Sequence, residues 1–272
     1  MKKGLIILFS ICILSWIVVQ QNLTTQNVVL NSTTSIQTVQ EGNNKNESFT
    51  ESKDLLETEV YNDIILPRID LYCGCTYNEE KNVDLKSCWF KTSWKNTQRS
   101  KKIEWEHIVP AENFGQSFKE WREGDVKCVN SKWKTYKWRE CAEKVNTEYR
   151  LMQADLYNLI PVIWEVNALR SNYQYTQLTQ DDIKYTFWEC SSKMWEQKFE
   201  PRDSVKWLVA RASLYMWQAY SKQNIISDKQ RKLYEAWDKL YPVTKEECIR
   251  YKKIKELQWN DNLVLKERCS GY

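Results

Sequence analysis

The sequence predicts an α+β fold with a mostly helical scaffold, braced by disulfides. Four observations carry that expectation. Glycine and proline are scarce, 6 and 5 in 272 residues, too few for the repeated tight turns of a sandwich or barrel. The second half is built of long amphipathic segments that open on helix-capping residues. Short stretches at residues 101–109, where side chains would alternate between two faces, and at 156–161 read as strands. Eight of the nine cysteines lie beyond the first 70 residues, an even set that suits four bridges in an oxidising compartment.

Residues 1–20 read as a signal peptide or signal anchor. Met1-Lys2-Lys3 gives a positive start, and residues 5–19 are uncharged and mostly apolar. That run is shorter than the roughly 20 residues of a full membrane span. It lacks a small-x-small cleavage site, which leaves an uncleaved anchor open. Residues 21–57 are rich in Asn, Thr, Ser and Gln and read as a disordered polar linker. Asn22, Asn31 and Asn46 head N-x-Ser/Thr sequences there. The folded domain is expected over residues 58–272.

Within that domain the elements follow in order. Residues 71–75 are expected as a short strand pinned by Cys73 and Cys75, which sit too close to bridge each other easily. A second short strand is expected within 83–90. Connectivity of the eight cysteines stays open. A zinc site is the weaker alternative, since no Cys-x-x-Cys pair exists. Residues 101–109 form the central strand, and 111–122 a helix and loop. A helix is expected over 140–152. Residues 156–161 form a strand stopped by Pro161, and a helix follows over 162–169, with Val162, Val166 and Leu169 on one face. Helices are expected over 203–221, from Ser227-x-x-Gln230 to Tyr241, and from Thr244-x-x-Glu247 to about Trp259. Trp207, Trp217 and Trp237 on these helices read as core.

The chemistry concentrates at residues 103–116. This stretch holds His107, the single histidine of the chain. Imidazole is the side chain whose ordinary pKa lies nearest neutrality. Glu106 precedes it. On an extended strand the two side chains diverge, so they would serve two sides of one centre at a strand end. Basic, aromatic-interleaved segments flank the stretch. One carries Lys91, Lys95, Arg99, Lys101 and Lys102. The other carries Lys127, Lys132, Lys134, Lys137 and Arg139 among Trp133, Tyr136 and Trp138. Net charge is +4. Such segments suit a polyanion, through counterion release, although most charge runs are simply solvated surface.

These residues together resemble the endonuclease I family, bacterial nucleases of the ββα-metal (His-Me finger) group. The resemblance rests on Tyr72-Cys73-Gly74-Cys75, on the segment 83–88, and above all on residues 103–115. It continues through Asp155-Leu156-Tyr157-Asn158-Leu159, Glu165-Val166-Asn167 and Arg170-Ser171-Asn172-Tyr173, and weakly into 236–244. It implies a ββα-metal core and export to the periplasm or medium, with an inner-membrane signal anchor as the variant. It also implies a divalent-metal-dependent endonuclease of low sequence specificity, acting on DNA and on RNA in many relatives, with 5′-phosphate products. His107 would be the general base. Glu106 and Asn167 would hold one Mg²⁺, with Asn158 the rival ligand. Arg139 would bind phosphate. No protein partner is implied, and a monomer is expected. Trp164 and Ala168 replace the glycines common in the family near the metal helix, and Tyr157 a frequent histidine. Those departures keep a second reading open: a catalytically weak nucleic-acid-binding protein of the same fold. An unrelated glycan-binding module would explain the tryptophans but not residues 103–115.

Overall fold

The centre of the fold is an antiparallel pair, β1 (Ile103–His107) and β2 (Leu159–Ile163), with Trp105 opposite Pro161 and Glu106 opposite Ile160. The computed structural model describes residues 39–92, 98–179, 185–187 and 190–272. All five residues of β2 are buried, so the strand is a continuous apolar run rather than an alternating one. A 3₁₀ turn, Leu156–Asn158, leads into it, and a helix here called α6 (Trp164–Arg170) leaves it directly. Strand, strand and helix therefore meet in one unit.

Pro161 does not stop β2; it lies in the middle of it. Its carbonyl accepts from Leu71 N–H at 3.0 Å, on the edge away from β1. In a strand the nitrogen and oxygen of one residue point to the same edge, so the missing N–H costs no ladder bond. The following helix accordingly starts later than expected. Ile163 stays extended because its N–H donates to the buried Asp70 carboxylate at 2.9 Å.

The same Asp70 carboxylate accepts from the N–H groups of Cys73 and Gly74. That curls residues 71–75 into a turn, with Gly74 at φ +81°, instead of the expected strand. The strand expected within 83–90 is likewise a turn; single bridges join Ile69 to Thr76, Tyr77 to Val83 and Asn82 to Lys102. Local side-chain capture of backbone N–H groups outcompeted strand pairing at both places.

The boundary expected at residue 58 is too late. Gln40 and Asn43 are already buried. Asn43 N–H donates to Asp155 and to the Tyr220 hydroxyl, and its amide donates to Leu151 O. Helix α1 (Phe49–Leu55) follows, capped by Ser48, whose side chain accepts from Glu51 N–H. It runs on into a π turn, Leu56–Val60, with Leu56 and Val60 in the core. The polar composition of 40–57 satisfies buried backbone groups; it is not a spacer there. Residues 1–38 lie outside the described residues, as does the signal-segment expectation. Among the described residues no helix is long and apolar enough to cross a membrane.

After β1 come α2 (Ala111–Gly115) and α3 (Lys119–Arg122). The helix expected over 140–152 is two, α4 (Arg139–Val145) and α5 (Thr147–Gln153). Asn146 breaks it, extended and capping α5 through Tyr149 N–H. A small sheet that was not expected follows α6, in the order β3 (Gln174–Tyr175), β6 (Lys198–Glu200), β5 (Cys190–Trp195), β4 (Tyr185–Phe187). The late helices form as expected. They are α7 (Lys206–Ala219), α8 (Asp228–Leu240) and α9 (Lys245–Gln258); a short α10 (Leu263–Lys266), not among those expected, follows them. Ser227 and Gln230 make a full capping box. Of the three tryptophans read as core, Trp237 is buried, while Trp207 and Trp217 are partly buried against the core.

Four disulfides join Cys73 to Cys190, Cys75 to Cys88, Cys128 to Cys141 and Cys248 to Cys269. Cys73 and Cys75 pair elsewhere, as expected. The first of these bridges ties the turn before β1 to the small sheet.

Candidate active site

β1 ends at His107, where the chain turns. Ile108 N–H donates to Asn158 O, and Val109 N–H to the Asn158 side chain, whose amide donates back to Val109 O. These three hydrogen bonds with Asn158 fix the strand end. Both ends of the Asn158 amide are hydrogen-bonded to Val109, and Asn158 is not among the residues that line the neighbouring cleft.

Beside the strand end lies a cleft of about 560 Å³. Glu106, His107, Arg139 and Asn167 all line it, so the four residues singled out in the sequence come together. Asn167 comes from α6, half-buried, and Arg139 is the first residue of α4, whose neighbour Cys141 is bridged to Cys128. Trp164 and Ala168 are not among the lining residues. Trp164 lies under the Arg99 guanidinium, 5.0 Å from the ring centre, and Ala168 is exposed. Tyr157 is buried away from the cleft, its hydroxyl donating towards Tyr251 and Asn260 carbonyls.

His107 is buried, and a ring nitrogen lies 2.9 Å from Gln153 O. A carbonyl only accepts, so Nε2 carries the proton and Nδ1 the lone pair. Burial, with the Arg139 charge behind it, holds the imidazole down to about 3. The ring is therefore neutral, the form that accepts a proton. An anion bound in the cleft would oppose the Arg139 charge and strengthen the base.

Glu106 is buried too. Burial pushes its carboxyl up to about 7, against the pull of Arg170. Arg170 Nη1 donates to Glu106 Oε1 at 2.6 Å, and its guanidinium also donates to the carbonyls of His107 and Ile108. Arg170 is 1% exposed and lies against the Tyr175 ring. Its charge offsets only part of the cost of burying Glu106. A carboxylate left in that state gains from a second cation. Glu106 and the Asn167 amide supply hard oxygen donors of the kind Mg²⁺ prefers. Among the described residues no group of three His, Cys, Asp or Glu side chains forms a metal site; a site of one carboxylate and one amide does not need one.

The sequence reading assigned Arg170 no role and missed the contribution of α1. Phe49, Thr50, Lys53 and Asp54 line the same cleft. The Phe49 ring stacks on His107, centroids 4.9 Å apart and planes at 27°. One signal was available: Ser48-Phe49-Thr50-Glu51 is a capping sequence, hidden in a stretch whose overall composition reads as linker.

A disulfide-bonded α+β protein with a strand–strand–helix unit and a polar cleft at its centre is the class that fold and site define. The sequence profile of the Endonuclease I family matches residues 48–268, and the chain belongs to that family. It is 36% identical over 204 residues to Endonuclease-1 of Buchnera aphidicola subsp. Acyrthosiphon pisum (strain APS), covering 73% of this chain and 74% of that protein. It is 34% identical over 202 residues to a periplasmic deoxyribonuclease of Aeromonas hydrophila, covering 73% and 78%. It is 33% identical over 205 residues to an extracellular deoxyribonuclease of the same organism, covering 74% and 82%.

Proposed function

We propose that this protein is an exported endonuclease that hydrolyses phosphodiester bonds of DNA, and of RNA, with little sequence preference, leaving 5′-phosphate ends. The observation that carries the reading is the meeting of a neutral His107 and a buried Glu106 in one cleft with Asn167 and Arg139, within an Endonuclease I chain. The relatives named periplasmic or extracellular deoxyribonucleases support both the substrate and the compartment. The four disulfides fit an oxidising compartment.

In this reading Glu106 and Asn167 hold one Mg²⁺, which when bound supplies positive charge to the phosphate and to the leaving 3′-oxygen. His107 takes the proton of the attacking water on Nδ1, while Gln153 O keeps the other nitrogen protonated. Arg139 neutralises phosphate charge with a planar fork of donors. Arg170 holds the Glu106 carboxylate in place, and the chain acts as a monomer.

The test is degradation of plasmid DNA and of single-stranded RNA by the oxidised protein, with Mg²⁺ and with EDTA, beside His107→Ala. Metal-dependent cleavage lost in the variant is the expected result. Full turnover by His107→Ala would remove His107 as the base. DNA binding without cleavage by the wild type would favour the binding-protein alternative.

A further inference from the structure

Four cationic side chains line the cleft: Lys53, Lys81, Arg139 and Arg170. Two are committed within the protein. Lys81 Nζ lies 2.6 Å from Glu57, and Arg170 Nη1 lies 2.6 Å from Glu106. Arg139 and Lys53 have no carboxylate partner among the described residues. Of the lining carboxylates, Glu104 and Glu112 are engaged by Arg99 and by Asn172, Glu106 by Arg170, and the exposed Asp54, next to Lys53 in the chain, makes no ion pair with it.

Lys53 is also placed by a rigid element. Its ammonium lies over the Phe49 ring, 4.7 Å from the centroid, and that ring stacks on His107. Helix α1 is pinned at the residue before Lys53: Ser52 Oγ donates to Ala154 O at 2.6 Å, and Asn46 Nδ2 donates to Ser52 Oγ at 2.9 Å. Ala154 adjoins Gln153, whose carbonyl holds His107. The helix and the imidazole therefore hang on the same short segment. A half-exposed lysine that forms no ion pair among the described residues, presented to a cleft on a pinned helix, is arranged to meet an anion.

We propose that Lys53 is a second cationic contact for the sugar–phosphate backbone of the substrate, independent of Arg139 and delivered by the N-terminal helix. The proposal rests on the nuclease reading, because it needs a polyanion in the cleft. Lysine here acts as a point charge on a flexible stem. It therefore contributes to affinity for any sequence and carries no base readout.

The experiment is equilibrium binding of a fluorescein-labelled DNA duplex to the full chain in EDTA, over a salt series. Wild type is compared with Lys53→Met, Lys53→Arg and Lys239→Met. Lys239 is an exposed lysine of α8 outside the cleft and controls for net charge. Loss of one phosphate contact should lower the slope of log K against log salt by about 0.9. From about 50 to about 200 mM salt, Lys53→Met should then lose about 3.5-fold less affinity than wild type. Lys53→Arg and Lys239→Met should keep the wild-type slope, and melting curves of all four proteins should coincide. A Lys53→Met slope equal to that of wild type or of Lys239→Met overturns the proposal while leaving the nuclease reading intact. Salt-independent or absent binding by wild type overturns both.

Discussion

Phe49 stacks face to face on His107, with ring centroids 4.9 Å apart, although 57 positions separate the two in the chain. The contact fixes one face of the imidazole, while the bond to Gln153 O fixes its proton. Phe49→Ala should free the ring to rotate and lower kcat about 10–100-fold, on the scale that a misplaced catalytic group costs. KM should change little, since the benzyl group carries no charge. Phe49→Leu should behave like Phe49→Ala in kcat if stacking matters, and like wild type if bulk alone suffices. Steady-state kinetics of both variants on plasmid DNA decide this.

A chain that begins at residue 58 should be inferior to one that begins at residue 40. The shorter chain loses Phe49, Lys53 and the bonds from Asn43 and Ser52 to residues 151–155. Each buried hydrogen bond removed leaves a partner unsatisfied at a cost of about 1–3 kcal/mol. Thermal melting of the two fragments, both oxidised, should show the shorter one well below the longer. Equal midpoints would mean that the N-terminal helix is an ornament.

Arg170→Met should destabilise the protein by about 3–5 kcal/mol, because Glu106 would stay buried without its partner. The double variant Arg170→Met with Glu106→Gln should recover part of that loss. Denaturant titration of the single and double variants without added metal measures it. Arg170→Lys should not restore wild-type stability, since one ammonium cannot reach the Glu106 carboxylate and two carbonyls as the guanidinium does.

Asp238 makes stability depend on acid. Burial works to raise its carboxyl, but the Arg268 and Arg211 guanidiniums overcome it and hold the group below the usual carboxylate range. A carboxyl lowered by folding adds stability above its ordinary pKa, and that stability is lost as pH falls through the folded value. Asp238→Asn should therefore cost about 1–3 kcal/mol at pH 7. The difference from wild type should shrink in acid, below the ordinary aspartate value of about 4. A constant gap across a pH series of unfolding curves would contradict this assignment.

Reduction of the disulfides should loosen the site before it unfolds the core. Cys128–Cys141 closes the loop that ends at Arg139. Removing one native bridge typically costs about 2–5 kcal/mol. Cys128→Ala with Cys141→Ala should weaken DNA affinity through Arg139 and lower the melting point. Alkylation of the native exported protein should find no free thiols among the eight cysteines.

What the sequence determined by itself was whatever depends on near neighbours. Ser227-x-x-Gln230 and Thr244-x-x-Glu247 opened helices where they stand, because a cap bonds backbone three residues away. The single histidine His107, with Glu106 beside it, marked the centre because no other imidazole exists in the chain, and the resemblance to the Endonuclease I family pointed to Asn167; all three line one cleft. The tertiary structure decided what depends on distant partners. Pro161 sits inside a strand because Leu71 takes its outer edge, and residues 71–75 turn because Asp70 captures their N–H groups. Arg170 acquires its role only when α6 brings it to Glu106. The polar stretch from Gln40 to Lys53 reads as linker until Asp155, Ala154 and His107 are there to receive it. Composition counts polar groups but not their partners, and it is the partners that make a polar segment part of a core.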